Sequence, residues 1–211
     1  MTSQDRVERE TIRVLLAEDE HLIRDALATM LDLEGDIVVV AQAATGQEAL
    51  AMASRHRPDV AVLDLQLPDS DGIEVAAQLL DQLPGCLPLI VTSHGRPGYL
   101  KKALSVGVRG FLPKTVQART FAEAIRTVRH GGRYVDPELA GEAIGAGDSP
   151  LTPRESDVLE YAADGAETDE IARRASLTIG TTRNYLSSAI AKLGAANRHE
   201  ACAIARRYGW I

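Results

Sequence analysis

The stretch VAVLDLQLPDSDG, residues 60–72, sets an ionisable carboxylate, Asp64, directly after four apolar residues with the character of a sheet interior. A carboxylate there is costly unless it stands at the mouth of the sheet beside compensating charge. The residues that close the segment have their own reasons. Pro68 stiffens the loop, Asp71 can cap the helix that follows, and Gly72 permits a tight turn into it.

Outward from this stretch, apolar β-branched runs alternate with helix-period stretches. TIRVLLA precedes HLIRDALATMLDL, DIVVVAQ precedes GQEALAMASRH, and DVAVLDL precedes GIEVAAQLLDQL; LPLIVTS then precedes GYLKKALSVG, and VRGFLPK precedes VQARTFAEAIRTVRHG. Five such pairs over residues 11–131 imply a doubly wound α/β domain, with a five-stranded parallel sheet covered on both faces. Residues 132–149 read as a linker: Asp136-Pro137 can begin a short helix over Glu138 to Ile144, and GAGDSP has the composition of a hinge. Residues 150–211 are helical throughout, with four helices at about 153–164, 168–175, 179–193 and 198–208. Thr152 with Pro153 and Glu155 forms one capping-box signature, and Asn197 with Glu200 another.

The 211 residues, 45% hydrophobic and 25% charged, can bury one full core and a second, smaller one. No run reaches the roughly 18 apolar residues of a membrane span, and MTSQDRVERE is polar rather than a signal peptide, so a cytoplasmic protein without membrane insertion is expected. Cys86 and Cys202 stand far apart and outside metal-ligand spacing, as small buried hydrophobes do. The net charge of −7 argues against nucleic acid until it is divided. Residues 1–149 hold 15 Lys and Arg against 22 Asp and Glu, whereas residues 150–211 hold 8 against 8. A neutral C-terminal domain can bind DNA through a local basic face.

In a parallel sheet, ligands gather beyond the carboxyl ends of the strands, where the order of winding reverses. Four polar signals fall at such ends: Glu18-Asp19 after RVLLA, Asp64 after VAVL, Thr92 after LPLIV, and Lys114 after GFLP. Three carboxylates a few ångströms apart would repel one another unless a hard divalent cation lay between them, so Mg2+ is the expected cofactor. A carboxylate held beside Mg2+ can attack a phosphoryl group, with Lys114 neutralising its equatorial oxygens and the Thr92 hydroxyl donating a hydrogen bond to one. Asp64 would then carry an acyl phosphate. Singly, each of these residues has an ordinary explanation as a turn, cap, solvated charge or strand former; the full set at successive strand ends does not.

On these residues, the region from 12 to about 131 resembles the CheY-like receiver domain of two-component systems, through EDEHLIRDAL, VLDLQLPDSDG, IVTS and GVRGFLPK. The resemblance implies Asp64 as phosphoacceptor, Glu18 and Asp19 as metal-side carboxylates, and the Gln66 backbone carbonyl as a further Mg2+ ligand. It also implies Lys114 as the charge partner of the phosphate and Thr92 with Phe111 as a coupled switch pair. Two departures stand out. Many receivers place a cis-proline after the lysine, whereas here Pro113 precedes Lys114 and Thr115 follows it. The switch aromatic is Phe111 rather than tyrosine, so no phenolic hydroxyl can reach backbone and burial alone favours the inward ring.

In the C-terminal region, EIARRASLTIGTTRNYLSSAIAKLG reads as a helix-turn-helix turning around Ser176 to Thr178. Thr182, Leu186, Ala189, Ile190 and Leu193 share the core face of its second helix. Opposite them lie Arg183, Asn184, Ser187 and Ser188, short polar groups with one arginine that suit a major groove. LTPRE, DEIA, GTTRNYLSSAIAKLG and NRHEA resemble the LuxR-type DNA-binding domain of NarL/FixJ response regulators. That resemblance implies Arg183, Asn184 and Ser187 as base-facing residues and Thr178, Thr181, Tyr185 and Lys192 as phosphate contacts. It also implies pairing of receivers through about His21–Leu33 and Val116–His130, with the last helix adding a dimer contact. Asp169 stands where the family carries a basic residue, which weakens DNA binding. LDLEGDI, TSHGRPGYLKKALSVGVRGFLPK and RRYGWI further resemble the DesR group, regulators of fatty-acid desaturase genes.

The chain therefore reads as a transcription factor, not an enzyme, phosphorylated on Asp64. Its implied partners are a cognate sensor histidine kinase, promoter DNA, RNA polymerase at the promoter, and a second copy of the chain. An aspartyl-phosphate phosphatase is the enzymatic rival, but it needs a second acid where Gln66 stands. Two non-enzymatic rivals are a receiver that pairs without phosphate and a sigma-factor-type helix-turn-helix.

Overall fold

The computed structural model describes residues 11–93, 97–145, 147 and 149–211, which form two compact units, one built on a sheet and one wholly helical. The polar segment 1–10, residues 94–96 of the TSHGRPGYLKK stretch, and Ala146 and Asp148 of the hinge lie outside the described residues.

Five βα pairs follow one another along the chain: β1 (Ile12–Ala17) and α1 (His21–Asp32), β2 (Ile37–Ala43) and α2 (Gly46–His56), β3 (Val60–Asp64) and α3 (Gly72–Gln82), β4 (Leu87–Thr92) and α4 (Pro97–Val106), β5 (Gly110–Pro113) and α5 (Ala118–Arg129). With a short β6 (Tyr134–Val135), all strands pair in parallel, in the order β2-β1-β3-β4-β5-β6. Winding reverses between β1 and β3, the strands that end at Glu18-Asp19 and Asp64. Every residue of β3 is buried because helices cover both faces. On one face Val14, Leu16, Val62, Leu89, Val91 and Leu112 pack with Leu31 of α1 and with Phe121, Ile125 and Val128 of α5. Each fully buried aliphatic side chain of this kind contributes about 1.5–3 kcal/mol, so the sheet core holds the strand ends in place.

The sheet has one strand more than the five read from the sequence. Tyr134–Val135, β6, pair in parallel with Gly110 and Phe111, and Asp136 N donates to Phe111 O at 3.0 Å. Two residues are too few to show a period of 2, and turn formers flank them, so GGRYVDP has the appearance of a linker.

The remaining helices are α6 (Pro137–Gly145), α7 (Pro153–Ala163), α8 (Thr168–Arg174), α9 (Ile179–Lys192) and α10 (Arg198–Arg207), close to the spans read from periodicity. The capping box of α7 forms: Thr152 Oγ1 accepts from Glu155 N, and Glu155 Oε2 accepts from Thr152 N at 2.6 Å. Val158, Leu159, Ile171, Leu186, Ala189, Ala201 and Ala205 form the core of the helical unit, with Trp210 packed on it. Both cysteines are free and buried, and burial, with Asp59 nearby, pushes the Cys86 thiol up to about 12. Among the described residues, no helix is long and apolar enough to cross a membrane.

Candidate functional site

At the switch point, Asp64 closes β3 and Glu18 follows β1, both buried, with Asp19 exposed beside them. One carboxylate oxygen from each of Glu18, Asp19 and Asp64 lies within 4.8 Å of the others, the one such acidic group among the described residues. Lys114, after β5, reaches into it: Nζ stands 2.6 Å from Glu18 Oε2 and 2.9 Å from Asp64 Oδ2. Among the described residues, Lys114 is the one partner of the buried Glu18 Oε2. Burial therefore raises the Glu18 pKa above its ordinary value, and Asp64's charge adds to the effect against the opposing pull of Lys114. For Lys114 burial opposes the charge, but the bonds to Glu18 and Asp64 outweigh it and raise the pKa.

One ammonium among three carboxylates leaves the cluster negative when all are ionised. Three carboxylate oxygens within 4.8 Å of one another, two of them on buried residues that share a single ammonium, fit a hard divalent cation. Gln66 supports the same rim. It pairs with Asp71 in an isolated antiparallel bridge flanked by Leu67 N to Ser70 O and Gly72 N to Leu65 O. The Gln66 carbonyl consequently points away from Asp71. Asp71 caps α3 as expected, accepting from Ile73 N at 2.8 Å, and also pairs with Lys102 at 3.0 Å. Gly72 is required by space: a Cβ would come within 2.1 Å of the Asp64 carbonyl.

Thr92 is buried at the end of β4, and its carbonyl accepts from Lys114 N at 2.8 Å. Phe111, in β5 beside this rim, is fully buried. Among the described residues no peptide bond is cis, those around Pro113 and Lys114 included.

In the helical unit, α8 and α9 meet at a turn in which Ser176 adopts φ 55°. Thr178 caps α9, accepting from Thr181 N at 3.1 Å. Thr182, Leu186 and Ala189 are buried, while Ile190 and Leu193 pack partly on the same core. Arg183, Asn184 and Ser187 are exposed on the opposite face, as are Thr178 and the flanking Ile179; Thr181 is half-buried, and Tyr185 leans on the core. Ser188 and Lys192 have an intramolecular partner the sequence did not disclose. Ser188 Oγ donates to Glu155 Oε1 at 2.6 Å and Lys192 Nζ to Glu155 Oε2 at 2.7 Å. Either would have to leave Glu155 to reach DNA through that group. Although burial opposes it, these donors hold the Glu155 carboxyl down at about 2. Glu155 was legible only as a capping residue. A second role for a buried acid near the start of α7 called for a cation on the helix facing it.

Residues 14–126 match the family model for the response regulator receiver domain, and residues 149–205 the one for bacterial regulatory proteins of the luxR family. The chain is 41% identical over 200 residues to transcriptional regulatory protein DesR of Bacillus subtilis (strain 168), covering 95% of this chain and 99% of DesR. It is 40% identical over 202 residues to the uncharacterized transcriptional regulatory protein YvfU of the same organism, covering 95% and 100%. The crystal structure of the response regulator ChrA, of a heme-sensing two-component system, superposes with a TM-score of 0.59 at 28% identity, over 96% of this chain and 100% of that one. An RcsB–DNA complex shares the fold, with a TM-score of 0.67 at 22% identity. The chain belongs to the NarL/FixJ-type response regulators, transcriptional regulators that join a receiver to a LuxR-type DNA-binding domain.

Proposed function

We propose that a histidine kinase, or a small phosphodonor, phosphorylates Asp64 and that the phosphorylated chain pairs and occupies promoter DNA in the cytoplasm. The observation that carries this is Lys114 bridging Asp64 and Glu18 within the acidic cluster. An Asp64 oxygen attacks the phosphorus as the bond to the donor's nitrogen or oxygen breaks, giving an aspartyl phosphate. Lys114 moves its charge onto the new equatorial oxygens, and Thr92 donates to one of them. When bound, Mg2+ would be held by Glu18, Asp19, Asp64 and the Gln66 carbonyl and would supply charge neutralisation. Phe111, already buried, would be retained rather than drawn inward by the modification.

Residues 11–131, extended by β6, act as the receiver, residues 150–211 as the DNA-binding domain, and the segment between as the linker. Pairing through α1 and α5 is supported by Leu22 and Leu33, apolar side chains on and just beyond α1 that are 82% and 83% exposed. Arg183, Asn184 and Ser187 would face bases, with Thr178, Thr181 and Tyr185 toward phosphates. Ser188 and Lys192 serve first to fix the angle of α9 through Glu155. Two linked domains on adjacent half-sites bind far more tightly than one, and RNA polymerase would be met at the promoter. Identity to DesR and to YvfU is nearly equal, so it does not favour a desaturase regulon over another.

The test is mass spectrometry after acetyl phosphate and Mg2+, with mobility shifts on genomic promoter fragments. Wild type should gain one phosphoryl mass and bind DNA more tightly, and Asp64→Asn should do neither. A wild-type protein that takes up no phosphoryl group removes the proposal.

A further inference from the structure

We infer that Asp69 is a positioning residue for the phosphoacceptor site, latching the loop between β3 and α3 onto the first turn of α2 and so setting where the Gln66 carbonyl stands. This rests on the function proposed above. Asp69 Oδ1 accepts from Gly46 N at 2.7 Å and Oδ2 from Gln47 N at 3.0 Å. Thr45 Oγ1 accepts from Glu48 N at 3.1 Å. The first three helical amides of α2, which have no partner inside a helix, are thus all satisfied, two of them by a residue of the phosphoacceptor loop. An ionised carboxylate is further favoured at a helix N-terminus by the helix dipole. The amides of Gln47 and Gly46 in turn hold the Asp69 carboxyl below its ordinary value, ionised at neutral pH.

Gly46 makes the approach possible. A Cβ there would meet Ser70 Oγ at 2.0 Å and Val75 Cγ2 at 2.7 Å, so a larger residue would have to displace the Ser70 side chain of the loop and the Val75 side chain of α3. The bonds from Leu67 N to Ser70 O and from Gly72 N to Leu65 O close the loop on itself without fixing it to α2. Among the described hydrogen bonds of residues 66–70, those to another element run through Asp69. Losing the latch frees the loop that carries Gln66 while leaving Asp64, Lys114 and Glu18 in place.

The experiment compares full-length wild type with Asp69→Ala, Asp69→Asn and Thr45→Ala. Mg2+ affinity is read by titration calorimetry, acyl-phosphate lifetime by mass spectrometry, and stability by thermal melts. Asp69→Ala should weaken Mg2+ binding by about tenfold or more, the usual effect of removing a residue that orients a metal ligand, and shorten the acyl-phosphate lifetime. Asp69→Asn, which keeps one acceptor oxygen, should fall between. Thr45→Ala removes the other cap of α2 without touching the loop, so it should melt earlier yet bind Mg2+ as wild type does. Wild-type Mg2+ affinity and phosphate lifetime in Asp69→Ala, or equal weakening in Thr45→Ala, would overturn the latch alone. A wild type that binds no Mg2+ and takes no phosphoryl group would bring down the site itself and the latch with it.

Discussion

Lys114 Nζ donates to Asp64 Oδ2 across 2.9 Å, so the carboxylate proposed as phosphoacceptor already has a cationic partner, one it shares with Glu18. The same ammonium stands against Glu18 and therefore competes with any cation for these oxygens. Lys114→Ala should bind Mg2+ about fivefold tighter, while phosphoryl uptake falls by about tenfold or more because the transferring group loses its charge partner. Calorimetry and the initial rate with acetyl phosphate measure the two effects separately, and parallel losses in both would contradict the competition.

Mg2+ should stabilise the receiver by mass action. At about 100 times its dissociation constant, a ligand that binds only the folded state adds about 2.7 kcal/mol. Asp19→Asn removes an exposed carboxylate of the cluster, so it should reduce the Mg2+-dependent rise in the urea midpoint without lowering stability in chelator.

Acid should unfold the helical domain through Glu155. Its folded pKa is held near 2, below the ordinary 4.5, so its stabilisation is complete above about pH 4.5 and is lost as pH falls toward 2. Trp210, the single tryptophan and part of that core, reports the transition by fluorescence. Glu155→Gln should be less stable at pH 7 and lose less on acidification than wild type; parallel pH profiles would remove Glu155 as the cause.

Ser176 holds a left-handed backbone at φ 55° in the turn between α8 and α9. Glycine adopts that conformation without steric cost, so Ser176→Gly should stabilise the domain by about 0.5–1 kcal/mol, partly offset by its freer unfolded chain. A urea midpoint below that of wild type would show that the turn is not strained.

On DNA, Arg183→Ala should cost about 1–3 kcal/mol and relax preference at one base position, as loss of a bidentate base contact does. Ser188→Ala should alter thermal stability more than DNA affinity, since its hydroxyl is engaged by Glu155. Quantitative footprinting at fixed salt, paired with melts, separates the two; a large affinity loss at full stability for Ser188→Ala would place that hydroxyl on DNA instead.

Patterning made the five principal strands and most of the described helices legible, because burial on both sheet faces leaves a continuous apolar run and burial along one helix stripe leaves a mark at every third to fourth residue. The strand-end positions of Glu18, Asp64, Thr92 and Lys114 follow from where each apolar run stops, since a parallel sheet brings its carboxyl ends to one rim. The sixth strand escaped because two residues show no period, and it exists only where β5 offers an edge to pair with. Asp69 with Gly46, and Glu155 with Ser188 and Lys192, were decided by the folded chain. Their partners lie 23, 33 and 37 residues apart, and hydrogen bonds at such separations depend on how helices pack rather than on any local pattern.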